Sequence, residues 1–108
     1  MIDEQEFRTH AANAMSQLQR ALEKAADTYG FDVDSKEGAL AIEFEDPPAK
    51  FVISPNAPVR QIWVSALVRS FKLDWSGDAN TFVLPDGKTL TALIAEVAGT
   101  QLGETVVF

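Results

Sequence analysis

Apolar and polar positions alternate in three rhythms along the chain. From Asp3 to about residue 28, Phe7, Ala11, Ala14, Leu18, Ala21, Leu22, Ala25 and Tyr29 recur at steps of three and four. That period is the apolar stripe of an amphipathic helix, with Glu6, His10, Asn13, Gln17, Arg20, Lys24 and Asp27 on the opposite side. Asp3 can cap this helix, Glu6 completes a capping box, and Ile2 and Phe7 have the spacing of a hydrophobic staple. Gly30 ends it. The many inward alanines predict close approach to the neighbouring layer. His10 is expected on the solvated surface.

The second rhythm has a period of two, the signature of half-buried strands. Residues 31–34 place Phe31 and Val33 on one face and Asp32 and Asp34 on the other. Ser35 to Gly38 reads as a turn. In residues 39–45, Leu40, Ile42 and Phe44 point in while Glu43 and Glu45 point out; Asp46-Pro47-Pro48 is expected to end that strand. Residues 50–54 make a third strand with Phe51 and Ile53 inward, followed by a Pro-rich turn over 54–58. Residues 58–66 make the fourth, 70–75 the fifth and 81–84 the sixth, with turns at Ser76–Asp78 and Pro85–Lys88.

The third rhythm is helical again. Leu90, Leu93, Ile94 and Val97 form a stripe over Thr89–Ala98, with Thr89 as cap and Gly99 as terminator. The apolar tail Thr105–Phe108 is expected to lie against helix packing. Helix, six strands and helix in that order predict an α+β fold. It is a two-layer α/β sandwich, with two helices on one face of a roughly six-stranded antiparallel sheet. The other sheet face is left open, carrying Asp32, Asp34, Glu43, Glu45, Gln61 and Trp63. No repeat or linker interrupts residues 1–108, which are read as one domain.

The fourth strand carries the most telling departure from simple patterning. Ile62, Val64 and Ala66 share an apolar face with the stem of Arg60; Val59, Gln61, Trp63 and Ser65 share the other. Trp63, the largest apolar side chain of the strand, thus lands on the polar face. A tryptophan displayed there is the kind of anchor that binding surfaces use.

Composition adds exclusions. The 108 residues are 46% hydrophobic and 23% charged, an ordinary globular balance. With no cysteine there is no disulfide, zinc-thiolate site or cysteine nucleophile, and a single histidine argues against a His-rich metal site. No apolar run is long enough to span a membrane, and the acidic start Met-Ile-Asp-Glu-Gln-Glu does not resemble a targeting segment, so a cytoplasmic protein is expected. Charge sharpens the picture. Residues 1–46 hold eleven acids and four bases, whereas residues 47–108 are neutral, so the whole net charge of −7 sits in the first two-fifths. Such a field repels nucleic acid and attracts a basic protein surface or hard cations.

No catalytic motif survives inspection. The one histidine has no placed serine, the glycines fall singly at turns, and the many acids do not form the partly buried pair that glycoside hydrolysis needs. Asp32 and Asp34 can present oxygens together, and Glu43 and Glu45 repeat the arrangement. Oxygen-only donors suit calcium, magnesium, manganese and iron.

Taken together, several stretches resemble the frataxins, most closely the bacterial CyaY-type frataxins. They are Asp32-Val33-Asp34 with Gly38 to Phe44, Gln61-Ile62-Trp63-Val64-Ser65, Asp74-Trp75-Ser76-Gly77, Asp86 to Leu90, and Thr100-Gln101 with Gly103 to Val106. The resemblance covers nearly the whole chain. It implies a role in iron-sulfur cluster assembly, weak iron binding through an acidic ridge, and contact with the cysteine desulfurase and the iron-sulfur scaffold protein. Carried over by position, Glu23, Asp27, Asp32 and Asp34 are the ridge, with Asp3 and Glu4 near the start and Glu43 on the neighbouring strand. Trp63, Gln61 and Asn56, together with Arg20, are the implied partner contacts. A monomer is implied, with iron-dependent oligomers an open alternative. Also open are a protein-interaction module without a metal role and a weak ferroxidase. Two features depart from the family pattern: Arg20 and Lys24 interrupt the ridge, and Phe82 stands where the family usually has tryptophan.

Overall fold

The computed structural model describes residues 2–45 and 47–108, so the strand-breaking role expected of Asp46 lies outside the described residues. Helix α1 (Glu4–Tyr29) is followed by strands β1 (Asp32–Lys36), β2 (Ala39–Glu45), β3 (Pro48–Asn56), β4 (Gln61–Ala66), β5 (Arg69–Ser76) and β6 (Thr81–Val83), then helix α2 (Leu90–Leu102). The strands form one sheet in sequence order, every neighbouring pair antiparallel. This is the predicted two-layer sandwich.

Helix α1 begins where the sequence places it. Asp3 Oδ1 accepts the Glu6 backbone N–H at 2.8 Å, and Gly30 closes the helix in the left-handed region with its N–H on Ala26 O. At 1.5 Å per residue its 26 residues run about 39 Å, matching the 40 Å long axis of the molecule. Its buried face is Phe7, Ala11, Met15, Leu18, Leu22 and Ala25. Met15 was absent from the predicted stripe, and Ala14 and Ala21 are only half-buried. His10 is also corrected: it is half-buried and stacks on Trp75, ring centres 3.7 Å apart and planes 12° from parallel.

The inward residues of the sheet form one cluster with the helices. Leu40, Ile42, Ile53, Ile62, Val64, Leu73 and Phe82 are at most 2% exposed, and they meet Phe7, Leu18, Leu22, Leu93 and Ile94. Phe82 takes an edge-on contact with Phe7 at 5.7 Å and another with Trp75 at 5.4 Å, so the smaller aromatic fills its slot.

Several boundaries differ from expectation, each for a local reason. β1 extends to Lys36 because its turn is only Glu37-Gly38, both at positive φ. β3 runs on to Asn56, through Pro55. That proline is tolerated because β2 pairing ends at Ile53, so no neighbour on that side needs its N–H. β4 begins at Gln61, since Ala57–Val59 form a 3-10 turn closed by Arg60 in the left-handed region. Val59 and Arg60 therefore do not take part in the strand's alternation.

Helix α2 passes straight through Gly99 and ends at Gly103, so Gly99 is not the terminator. Its reason is steric. A Cβ there would sit 2.8 Å from the Glu104 carbonyl oxygen, because the tail folds back over the helix. Val106 is buried, and the Val107 N–H donates to Tyr29 Oη at 3.1 Å, as the expected packing of the tail requires. Lys88, in the loop before α2, pairs with Glu96 at 2.6 Å, and that hydrogen bond holds its pKa above the ordinary lysine value.

Candidate functional site

Cross-strand register decides what the open face presents. Side chains directly opposite in an antiparallel pair share a face. From β1 to β5 the open face therefore carries Asp32 and Asp34, then Glu43 and Glu45, Lys50, Ser54 and Asn56, Gln61, Trp63 and Ser65, and finally Lys72 and Asp74.

At the β1 edge, Asp32 lies directly opposite Glu43, with Asp34 two residues along. Opposed Cβ atoms in such a pair are about 5 Å apart, and like charges there repel. Lys50 on the far side of Glu43 offsets part of that repulsion. All four of these side chains are exposed. Glu23 and Asp27 sit on the last two turns of α1, next to the start of β1, and Gln19 Nε2 donates to Glu23 Oε2 at 3.4 Å. The acids thus gather where α1 ends and the sheet edge begins.

Asp3 and Glu4 do not join them. They lie at the other end of α1, about 30 Å or more away by helix rise. Asp3 is occupied as the helix cap, and Glu4 pairs with Arg8 at 3.6 Å. Arg20 also stands apart from the tryptophan surface: it is exposed on α1 and donates to Ser16 Oγ at 3.0 Å. Among the described residues, no three His, Asp or Glu side chains converge closely enough to hold a metal ion. The donor chemistry fits a hard cation, but the geometry offers pairs of carboxylates rather than a cage.

The second half of the open face is more highly organised. Trp63 is 39% exposed. Its indole N–H donates to Gln61 Oε1 at 2.9 Å, and Gln61 Nε2 donates to Asp74 Oδ1 at 3.2 Å. Lys72, opposite Trp63, holds its ammonium 5.0 Å from the ring centre, within cation–π range. Asn56 is opposite Gln61 and completes the group. Beside the indole is a depression of about 460 Å³ lined by Val52, Ser54, Ser65 and Ser70. The indole is therefore held in one orientation by Gln61 and Lys72. Lys72 and Asp74 were not among the residues that the sequence singles out as partner contacts. Their roles depend on the β4–β5 register, which pairs Gln61 with Asp74 and Trp63 with Lys72.

Comparison with known proteins supports the assignment. The model of the frataxin-like domain matches residues 1–104. The chain belongs to this family. It is 33% identical over 108 residues to the iron-sulfur cluster assembly protein CyaY of Janthinobacterium sp. (strain Marseille), covering 96% of this chain and 94% of that one. The protein of the same name from Pseudomonas aeruginosa is 34% identical over 95 residues, covering 84% and 86%. The frataxin of Psychromonas ingrahamii has the same fold, with a TM-score of 0.74 over 97% of this chain and 96% of that one, at 22% identity.

Proposed function

We propose that the chain serves iron-sulfur cluster assembly in the cytoplasm as an iron-binding regulator or iron chaperone that docks on a cysteine desulfurase through its acidic surface. The observation that carries this reading is the shared face. Asp32, Asp34 and Glu43 lie on the same open side of the sheet as Trp63. Three strand spacings and four residues of stagger put Asp32 about 20 Å from Trp63. That span fits within one side of a protein–protein interface of ordinary size.

In this mechanism the carboxylates steer a basic partner surface into place, and Trp63 supplies the apolar anchor. The opposed Asp32 and Glu43 are relieved of mutual repulsion by either a bound cation or a partner's basic side chain. Iron and the desulfurase therefore compete for, or share, the same oxygens. The scaffold protein would approach the Trp63 half of the face.

Titration of a cysteine desulfurase with the wild-type chain and with D32K/D34K tests the reading. Affinity should fall by at least about tenfold in the double variant, and the wild-type affinity should weaken with salt. Iron(II) binding should fall in parallel. Unchanged affinity for the desulfurase would reject the docking surface.

A second reading, an interaction module with no metal role, is favoured by the lack of a converging three-ligand group among the described residues. Desulfurase binding that is indifferent to iron(II) would select it.

A further inference from the structure

A cleft lies on the helix side of the sheet, away from both the acidic edge and Trp63. It opens between the first half of α1 and the β1–β2 hairpin and has a volume of about 480 Å³. Small residues create it. Ala11 and Ala12 face it from the helix, Gly38 from the hairpin turn, and β3 overhangs it at Pro55. The inward alanines do not draw the layers together here; they leave a cleft. Its deeper walls are Phe7, Ala11, Met15 and Leu40, all buried members of the core cluster.

The rim has a different chemistry. Arg8, Ser16, Gln19 and Ser35 supply a cation, hydroxyls and an amide. Among the described residues, no carboxylate lines the cleft, although the chain carries sixteen. Glu4, the partner of Arg8, makes a single 3.6 Å contact between two largely exposed side chains. Such a pair contributes little and is readily exchanged. A volume in the range of small-molecule sites, apolar walls and one cation at the mouth together specify an apolar body with an anionic head.

We propose that this cleft binds a linear-chain carboxylate, its hydrocarbon chain against Phe7, Met15 and Leu40 and its head on the Arg8 guanidinium. No residue of the cleft belongs to the proposed desulfurase surface, so the two ideas stand or fall separately.

Decanoate and decanol, added to the isotopically labelled chain, provide the test. Decanoate should shift the amides of Ala11, Ala12, Met15, Gly38 and Ala57 in a saturable way and leave those of Gln61–Ser65 unchanged. Decanol should bind about tenfold more weakly, because it brings no negative charge to the guanidinium and offers one acceptor oxygen in place of a bidentate pair. Arg8→Gln should bring decanoate down to the level of decanol. Ala12 is exposed at the rim, so Ala12→Leu can fill the cleft without entering the core, and it should abolish the shifts. The proposal is overturned if decanoate leaves these amides unmoved up to its micelle threshold. Shifts scattered over Val59, Trp63, Val68 and Val107, the exposed large apolar positions among the described residues, overturn it too. Equal binding of decanol would refute the anionic head.

Discussion

The two faces of β4 have opposite economies within six residues. Ile62 and Val64 point under the helices and are 0% and 1% exposed, while Gln61, Trp63 and Ser65 point to the open side. The inner face is held by packing against many neighbours. On the outer face, one aromatic ring is fixed by a short polar chain from Asp74 through Gln61. Burial on one side supplies stability, and organisation without burial on the other leaves a surface that can be covered by something else.

The sharpest way to break this contrast is to truncate each side in turn. Ile62→Ala should cost about 2–5 kcal/mol of folding stability, the range for large-to-small core changes. Trp63→Ala should cost ~1 kcal/mol or less, as typical of sites outside the core. Denaturant titration of both variants reads the difference, and comparable losses would mean that Trp63 is part of the core.

Gly99→Ala comes next. The new Cβ meets a backbone carbonyl at 2.8 Å, so either α2 shifts or the tail lifts away. We expect a loss of about 1–3 kcal/mol, in the range for overpacking, together with faster hydrogen exchange at the Val107 amide. A thermal midpoint equal to or above wild type would show that the tail is not held there.

The β4–β5 turn should respond in the opposite direction. Leu67 and Val68 both adopt positive φ, and Val68 is fully exposed. A β-branched residue is strained in this region, whereas Asn-Gly suits such a two-residue turn. L67N/V68G should therefore stabilise the chain by about 1–2 kcal/mol, as measured by thermal unfolding.

Asp74→Ala should have the smallest effect on stability, within ~0.5 kcal/mol. Its consequence should be seen in the nitrogen–proton resonance of the Trp63 indole, which should shift as Gln61 loses its anchor, and in weaker desulfurase binding. An unmoved indole resonance would show that Gln61 needs no help from Asp74.

These sites also mark where the sequence could and could not be read. Helix α1, the strand alternation outside Val59 and Arg60, and the outward Trp63 were legible, because capping residues and periods of 3.6 and 2 are local signals. The β1–β2 register was close to legible, since Gly38 marks its turn. The β4–β5 register was not, because Leu67-Val68 carries none of the residues that favour a tight turn. The partnership of Lys72 and Asp74 with Trp63 and Gln61 was hidden with it. Gly99 was misread for a related reason. A glycine near the end of a helical pattern usually terminates it, and only the folded-back tail reveals the close approach that requires it. The acidic residues were identifiable one by one, and the predicted length of α1 already separates Asp3 and Glu4 from Asp27.

The chain's two tryptophans occupy unlike surroundings. Trp75 is half-buried against His10 and Phe82, while Trp63 faces outward on the bare side of the sheet. Their emission should accordingly separate by colour, with the redder component from Trp63. A molecule settling on the open face would turn that component bluer and leave the other alone, so the protein carries an intrinsic optical gauge of which side is engaged.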